Sequence, residues 1–156
     1  MKKTCLYAII LIVIDYISKI IVSNYISLNT NIPIIGNFLR LTYVRNTGAA
    51  FSMFSNYTYI LAIISILVIL LIFYYVYRKD HVSGFDALCY GLLLGGATGN
   101  LIDRLIYGYV VDFISVKIFN YNFPVFNLAD SFIVIAFILL IITEIKKDIL
   151  VKKEKK

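Results

Sequence analysis

The chain has 156 residues, 61% of them hydrophobic, and a net charge of +6; its mean hydropathy is +0.88. A soluble domain of this length is far less apolar, so the composition excludes a water-soluble globular protein. The basic excess comes without a basic and aromatic groove pattern, which points to a lipid surface and to membrane orientation and away from nucleic acid. A spanning helix takes about 20 mostly apolar residues. Four such segments fit, leaving two longer loops, one short loop and a tail, so residues 1–156 read as a single polytopic membrane domain.

Lys2 and Lys3 precede an apolar run that begins like a signal peptide. The run continues past Asp15 and Lys19 to about Val22 without a small-residue cleavage site, and the expectation is an uncleaved helix over about residues 4–24. Asp15 and Lys19 are spaced to share one helix face. They read either as a structural ion pair or as support for a site, since ionisable groups within a span usually face the protein interior or a polar cavity. Cys5 and Cys89 lie in or beside apolar segments without disulfide or metal spacing, and buried free thiols are expected.

Turn-forming residues then cluster at Asn29 to Asn37, and Phe38 to Val44 is prone to form a strand. The run from Arg45 to Phe51 (RNTGAAF) combines small residues with Asn46, which can donate and accept. A plain turn opening a short helix is the alternative reading of that run. A second helix is predicted over about residues 59–77, with tyrosines suited to the interface. His81, the single histidine, falls in the short loop after it and reads as solvated.

A third helix is predicted over about residues 85–106. Gly91, Gly95 and Gly99 recur every fourth residue, a stripe that lets a neighbouring helix approach. The end of this helix carries Asn100, Asp103 and Arg104. Asn100 shares a face with both others, whereas Asp103 and Arg104 are adjacent, point apart and need different partners. The stretch from Gly108 to Ser131 places Asp112 among Val110, Val111, Phe113 and Ile114, and Asp130 after Phe126, Leu128 and Ala129. Carboxylates in such company lose water and hold their protons more tightly. Two of them brought together share a proton, which is aspartyl hydrolase chemistry. The competing reading of Asp130 is structural: Asn127 as N-cap and Asp130 at N3 would form a capping-box-like pair opening a fourth helix over about residues 128–145.

Cationic residues set the expected orientation. With both termini and the 78–84 loop in the cytoplasm, that side holds Lys2, Lys3, Arg78, Lys79 and the six tail lysines, against Arg40, Arg45, Arg104 and Lys117 outside. Asp15, Asn46, Asn100, Asp103, Asp112, Asn127 and Asp130 then all fall toward the outer leaflet. A metal site lacks a histidine or cysteine cluster and is disfavoured. A Ser-His-Asp triad fails because His81 lies on the other side. A Ser-Lys hydrolase would pair Lys19 or Lys117 with Ser52, Ser115 or Ser131. A transporter would scatter ionisable groups through the membrane depth, and the inner halves of these helices lack them.

Five blocks now stand in order: Asp15 to Lys19 (DYISK), Asn46 to Phe51 (NTGAAF), Gly95 to Arg104 (GGATGNLIDR), Val110 to Phe113 (VVDF) and Phe126 to Ser131 (FNLADS). Together they resemble the lipoprotein signal peptidase family, signal peptidase II. The resemblance implies an all-α polytopic protein of the bacterial cytoplasmic membrane with four spanning helices and a small extracytoplasmic β-rich cradle. It implies an aspartyl endopeptidase with Asp112 and Asp130 as its catalytic pair, and without metal or cofactor. Asp15, Lys19, Asn46, Asn100, Asp103, Arg104 and Asn127 are the expected supporting or substrate-binding residues. The implied substrates are prolipoproteins whose cysteine already carries diacylglycerol, cut just before that cysteine. Membrane lipids and the cyclic peptide inhibitor globomycin are the other implied partners of a monomeric enzyme.

Overall fold

The computed structural model describes residues 1–48 and 57–154. Part of the predicted turn at Arg45 to Phe51, and Ser52, lie outside the described residues. The elements in chain order are α1 (Lys2–Tyr25), β1 (Asn31–Ile35), β2 (Leu39–Asn46), α2 (Thr58–Arg78), α3 (Gly84–Tyr107), β3 (Val110–Ile118), β4 (Tyr121–Asn122) and α4 (Leu128–Glu154). All four helices contain a stretch long and apolar enough to cross a membrane. α4 runs well past its expected end, because the Lys- and Glu-rich tail keeps good helix formers where apolar content falls away. Glu144 and Lys147 pair there at 3.5 Å.

α3 is the centre of the bundle: 61% of its spanning window is buried, against 22% for α1 and 11% each for α2 and α4. Its glycines explain how neighbours come so close. A Cβ on Gly91 would lie 2.6 Å from Tyr7 Cβ, and one on Gly95 would lie 2.9 Å from Leu11 Cβ. The expected small-residue stripe is therefore the seat of α1. Gly96, outside that stripe, does the same for α4, since a Cβ there would collide with the Ala129 carbonyl and lie 2.7 Å from Ile133 Cγ1. The outward faces of α1, α2 and α4 expose Ile9, Ile63, Leu70, Leu71 and Ile138, as lipid-facing surfaces do.

The strands form one antiparallel sheet in the order β1-β2-β3-β4. It covers the end of the bundle where α1 and α3 finish and α2 and α4 begin. The expected β-prone segment at Phe38 to Val44 is β2. Gly108 stops α3 in the left-handed region, at φ 76°, with its N–H on the Arg104 carbonyl. The chain turns at once into β3, whose residues Val110 to Phe113 are all buried. Alternation splits them: Val111 and Phe113 pack with Val22 and Tyr43, while Val110 and Asp112 face a cavity on the other side.

Candidate active site

Two pairings bring Asp112 and Asp130 to one place. Val44 on β2 sits opposite Asp112, and Asn46 opposite Val110, beyond a register shift between Leu41 and Val44. On the far edge of β3, the Phe126 carbonyl accepts from Phe113 N at 3.0 Å and Ile114 N at 2.7 Å. Phe126 thus hands the chain to the start of α4 beside Asp112. Asn127 then caps α4 reciprocally: Asp130 N donates to Asn127 Oδ1 at 3.0 Å, and Asn127 N donates to Asp130 Oδ2 at 3.2 Å. The structural reading of Asp130 is therefore correct as far as it goes, and such a cap is worth about 1 kcal/mol. It uses only one carboxylate oxygen.

The other oxygen, Asp130 Oδ1, accepts from Asn100 Nδ2 at 2.7 Å. Asp112 is held on both sides as well, with Oδ2 accepting from Asn46 Nδ2 at 2.8 Å and Oδ1 from Asn127 Nδ2 at 2.7 Å. Asn127 is completely buried and touches both aspartates. Burial, with the charge of Asp130 added to it, pushes the Asp112 carboxyl from 3.8 up to about 7. Asp112 and Asp130 line a cavity of about 330 Å³ together with Asn46, Asn100 and Arg104. Ile64 and Val68 of α2 and Ile133 of α4 form its apolar walls.

Behind the pair lies a buried ion cluster. Lys19 Nζ is 2.7 Å from Asp15 Oδ2 and 3.1 Å from Asp103 Oδ2, and donates to Asn100 Oδ1 at 2.9 Å. The Asp15 contact is an ion pair without hydrogen-bond alignment. Among the described residues Lys19 thus has two aspartates and an amide as partners, where the Ser-Lys reading needs a serine. Ser131 Oγ donates to the Asn127 carbonyl. Asp103 and Arg104 point apart as expected: Arg104 reaches the carbonyls of Asn100 and Gly48 at 3.5 and 3.4 Å. His81 is exposed in the turn at the opposite end of the bundle, and Cys5 and Cys89 are free.

All nine residues singled out from the sequence lie in this one network. Gly96 and Phe126 fall inside the blocks quoted from the sequence, but the part each plays was not read there. A second glycine directly beside the stripe was the available signal for Gly96. Phe126 carried none, because its contribution is a backbone carbonyl.

Four helices of spanning length, a sheet closing one end, and one buried and one half-buried carboxylate on a largely apolar cavity have the make-up of a membrane-embedded aspartic peptidase. Comparison with known proteins makes this specific. The family described as Signal peptidase (SPase) II matches residues 7–146. The lipoprotein signal peptidase of Halothermothrix orenii is 46% identical over 140 residues, covering 87% of this chain and 92% of that protein. A bacterial membrane enzyme solved by the in meso method at 2.3 Å superposes with a TM-score of 0.87 at 34% identity, over 95% of this chain and 90% of its own. A second, solved at 1.9 Å, gives 0.83 at 35% identity, over 94% of each. The chain belongs to the signal peptidase II family, whose role is the removal of signal peptides from prolipoproteins. It is a multi-pass membrane peptidase of the aspartic type.

Proposed function

We propose that Asp112 and Asp130 are the reacting pair of a peptidase that cuts diacylglyceryl-modified prolipoproteins just before the lipidated cysteine. The observation that carries this reading is the shared cavity: two aspartates from different elements, β3 and α4, line it, each with both oxygens held by nitrogen donors. Asp112, with its carboxyl raised to about 7, carries the pair's proton at neutral pH and polarises the scissile carbonyl. Asp130 takes a proton from the attacking water as its oxygen bonds to the carbonyl carbon. The proton held by Asp112 passes to the leaving nitrogen as the C–N bond breaks. Asn46, Asn100 and Asn127 orient the two carboxylates, and Arg104 offers positive charge at the cavity wall.

Both termini lie in the cytoplasm in this reading, following the excess of cationic residues at that end. The sheet and cavity then sit at the outer leaflet, where a diacylglyceryl cysteine presents its peptide bond. Ile64, Val68 and Ile133 receive its acyl chains, and anchoring them holds the bond in register. The enzyme works as a monomer and is blocked by globomycin. The test is cleavage of a diacylglyceryl prolipoprotein by the purified protein, with the products weighed by mass spectrometry. A new N-terminal cysteine bearing the lipid, with the unmodified precursor left intact, is the expected result. Equal cutting of both precursors, or a cut elsewhere, would overturn the substrate assignment.

A further inference from the structure

The ion cluster behind the pair has a symmetry that the reaction itself does not require. Asp15, which pairs with Lys19, accepts from Ala129 N at 2.9 Å, the residue before Asp130. Asp103, which pairs with the same lysine, accepts from Val111 N at 3.0 Å, the residue before Asp112. One side chain, only 3% exposed, therefore joins the two backbone segments that carry the reacting carboxylates. It also fixes a polarity. A lysine has donors and no acceptor, so Asn100 must turn its oxygen to Lys19 and its amide nitrogen to Asp130. The same oxygen accepts from Asn127 Nδ2 at 3.0 Å, and that nitrogen also donates to Asp112.

We propose that Lys19 is the positioning residue of the reaction, setting the separation of the two aspartates through Asp15 and Asp103 and the direction of the Asn100 and Asn127 amides that address them. The inference rests on Asp112 and Asp130 being the reacting pair. Lys19 touches neither of them directly and acts through its neighbours. The groups facing it are Asp15 on α1, Asp103 and Asn100 on α3, and, across a second cavity of about 380 Å³, Tyr16, Tyr43, Tyr107 and Tyr109. Those facing Asp112 are Asn46 on β2, Asn127, Asp130 on α4 and Arg104 on α3. The positive charge of Lys19 favours the ionised form of Asp112. Its removal therefore strengthens the hold of Asp112 on its proton.

Two variants of the full-length protein test this in detergent or lipid vesicles. Lys19→Met removes donor and charge. Asp15→Asn with Lys19→Met removes the donor and leaves the net charge of the Asp15, Lys19 and Asp103 group unchanged, while the introduced asparagine still offers an oxygen to Ala129 N. For Lys19→Met we expect kcat to fall on the order of a hundredfold, as for a small misplacement of reacting groups, with KM unchanged. The alkaline limb of its pH–rate profile, where the pair loses its shared proton, moves upward. For the double variant we expect a folded protein and a similar fall in kcat with the limb left in place. A folded variant with parental kcat and profile, or a loss carried by KM, would overturn the inference. Collapse of the folded yield in both variants would assign Lys19 to the fold itself and overturn it equally. Cleavage by Asp112→Asn or Asp130→Asn proteins would instead show that the reading of the pair is at fault, so the two failures are distinct.

Discussion

Replacing Asp112 with asparagine should stabilise the protein at high pH while destroying its activity. The carboxyl is 2% exposed and is raised from 3.8 to about 7, first by burial and then by Asp130. Between these values the folded state binds the proton that the unfolded state has released. This group's contribution is therefore greatest at and below about pH 4, declines as pH rises toward 7, and is flat above. The full swing is roughly 4 kcal/mol, at about 1.36 kcal/mol for each pH interval of one. Asparagine has no such dependence. It does offer one acceptor where Asp112 offers two, so either Asn46 Nδ2 or Asn127 Nδ2 loses this acceptor, at a cost of about 1–3 kcal/mol. The variant should thus be less stable than the parent near pH 4 and more stable near pH 8, each by about 1–3 kcal/mol. Thermal unfolding in one detergent at stepped pH measures the difference, which should swing by on the order of 10 °C for a chain of this length. A difference independent of pH would mean that Asp112 is not the buried, proton-holding group described.

Two further outcomes follow from the packing and the charge pattern. Gly99→Ala would put a Cβ 2.5 Å from Asp15 Oδ2 and 3.5 Å from Ala129 Cβ, disturbing the buried ion pair; the folded protein should unfold at lower temperature, by an amount approaching the roughly 3–5 kcal/mol of a broken buried pair, and unaltered stability would contradict the close approach of α1 to α3. A reporter fused after Lys156 should behave as cytoplasmic and one inserted near Asn31 as external; the reverse pattern would move the cavity to the wrong leaflet.

The helices were legible because spanning length and apolar content are local properties of the sequence. So were the seat of α1 on α3, written as glycines at a four-residue repeat, and the cap at Asn127 and Asp130, written at a three-residue spacing. In so apolar a chain each polar side chain stood out, and the five blocks that resemble signal peptidase II singled out the nine of this network. The partners within it were not legible. Asp15 and Ala129 N are 114 residues apart, and Asn46 and Asp112 are 66 apart. Such contacts depend on how the sheet closes over the bundle and on the register shift in β2, which no local spacing encodes. Several of them also use backbone amides or carbonyls, among them those of Val111, Ala129 and Phe126, and these are the same in every residue type.

The most direct measurement is cleavage of a diacylglyceryl prolipoprotein by the purified Asp130→Asn protein beside the parent. Asparagine is nearly isosteric and can still accept from Asn127 N as a capping residue, so the protein should fold and bind its substrate. It cannot exchange a proton with water or with Asp112, so no cleavage above background is expected. Asp112→Asn should behave alike, and the double variant no worse, because residues acting as one unit are not additive. Substantial turnover by a folded Asp130→Asn protein would contradict the account, and so would parental activity lost to a chelator and restored by a divalent metal.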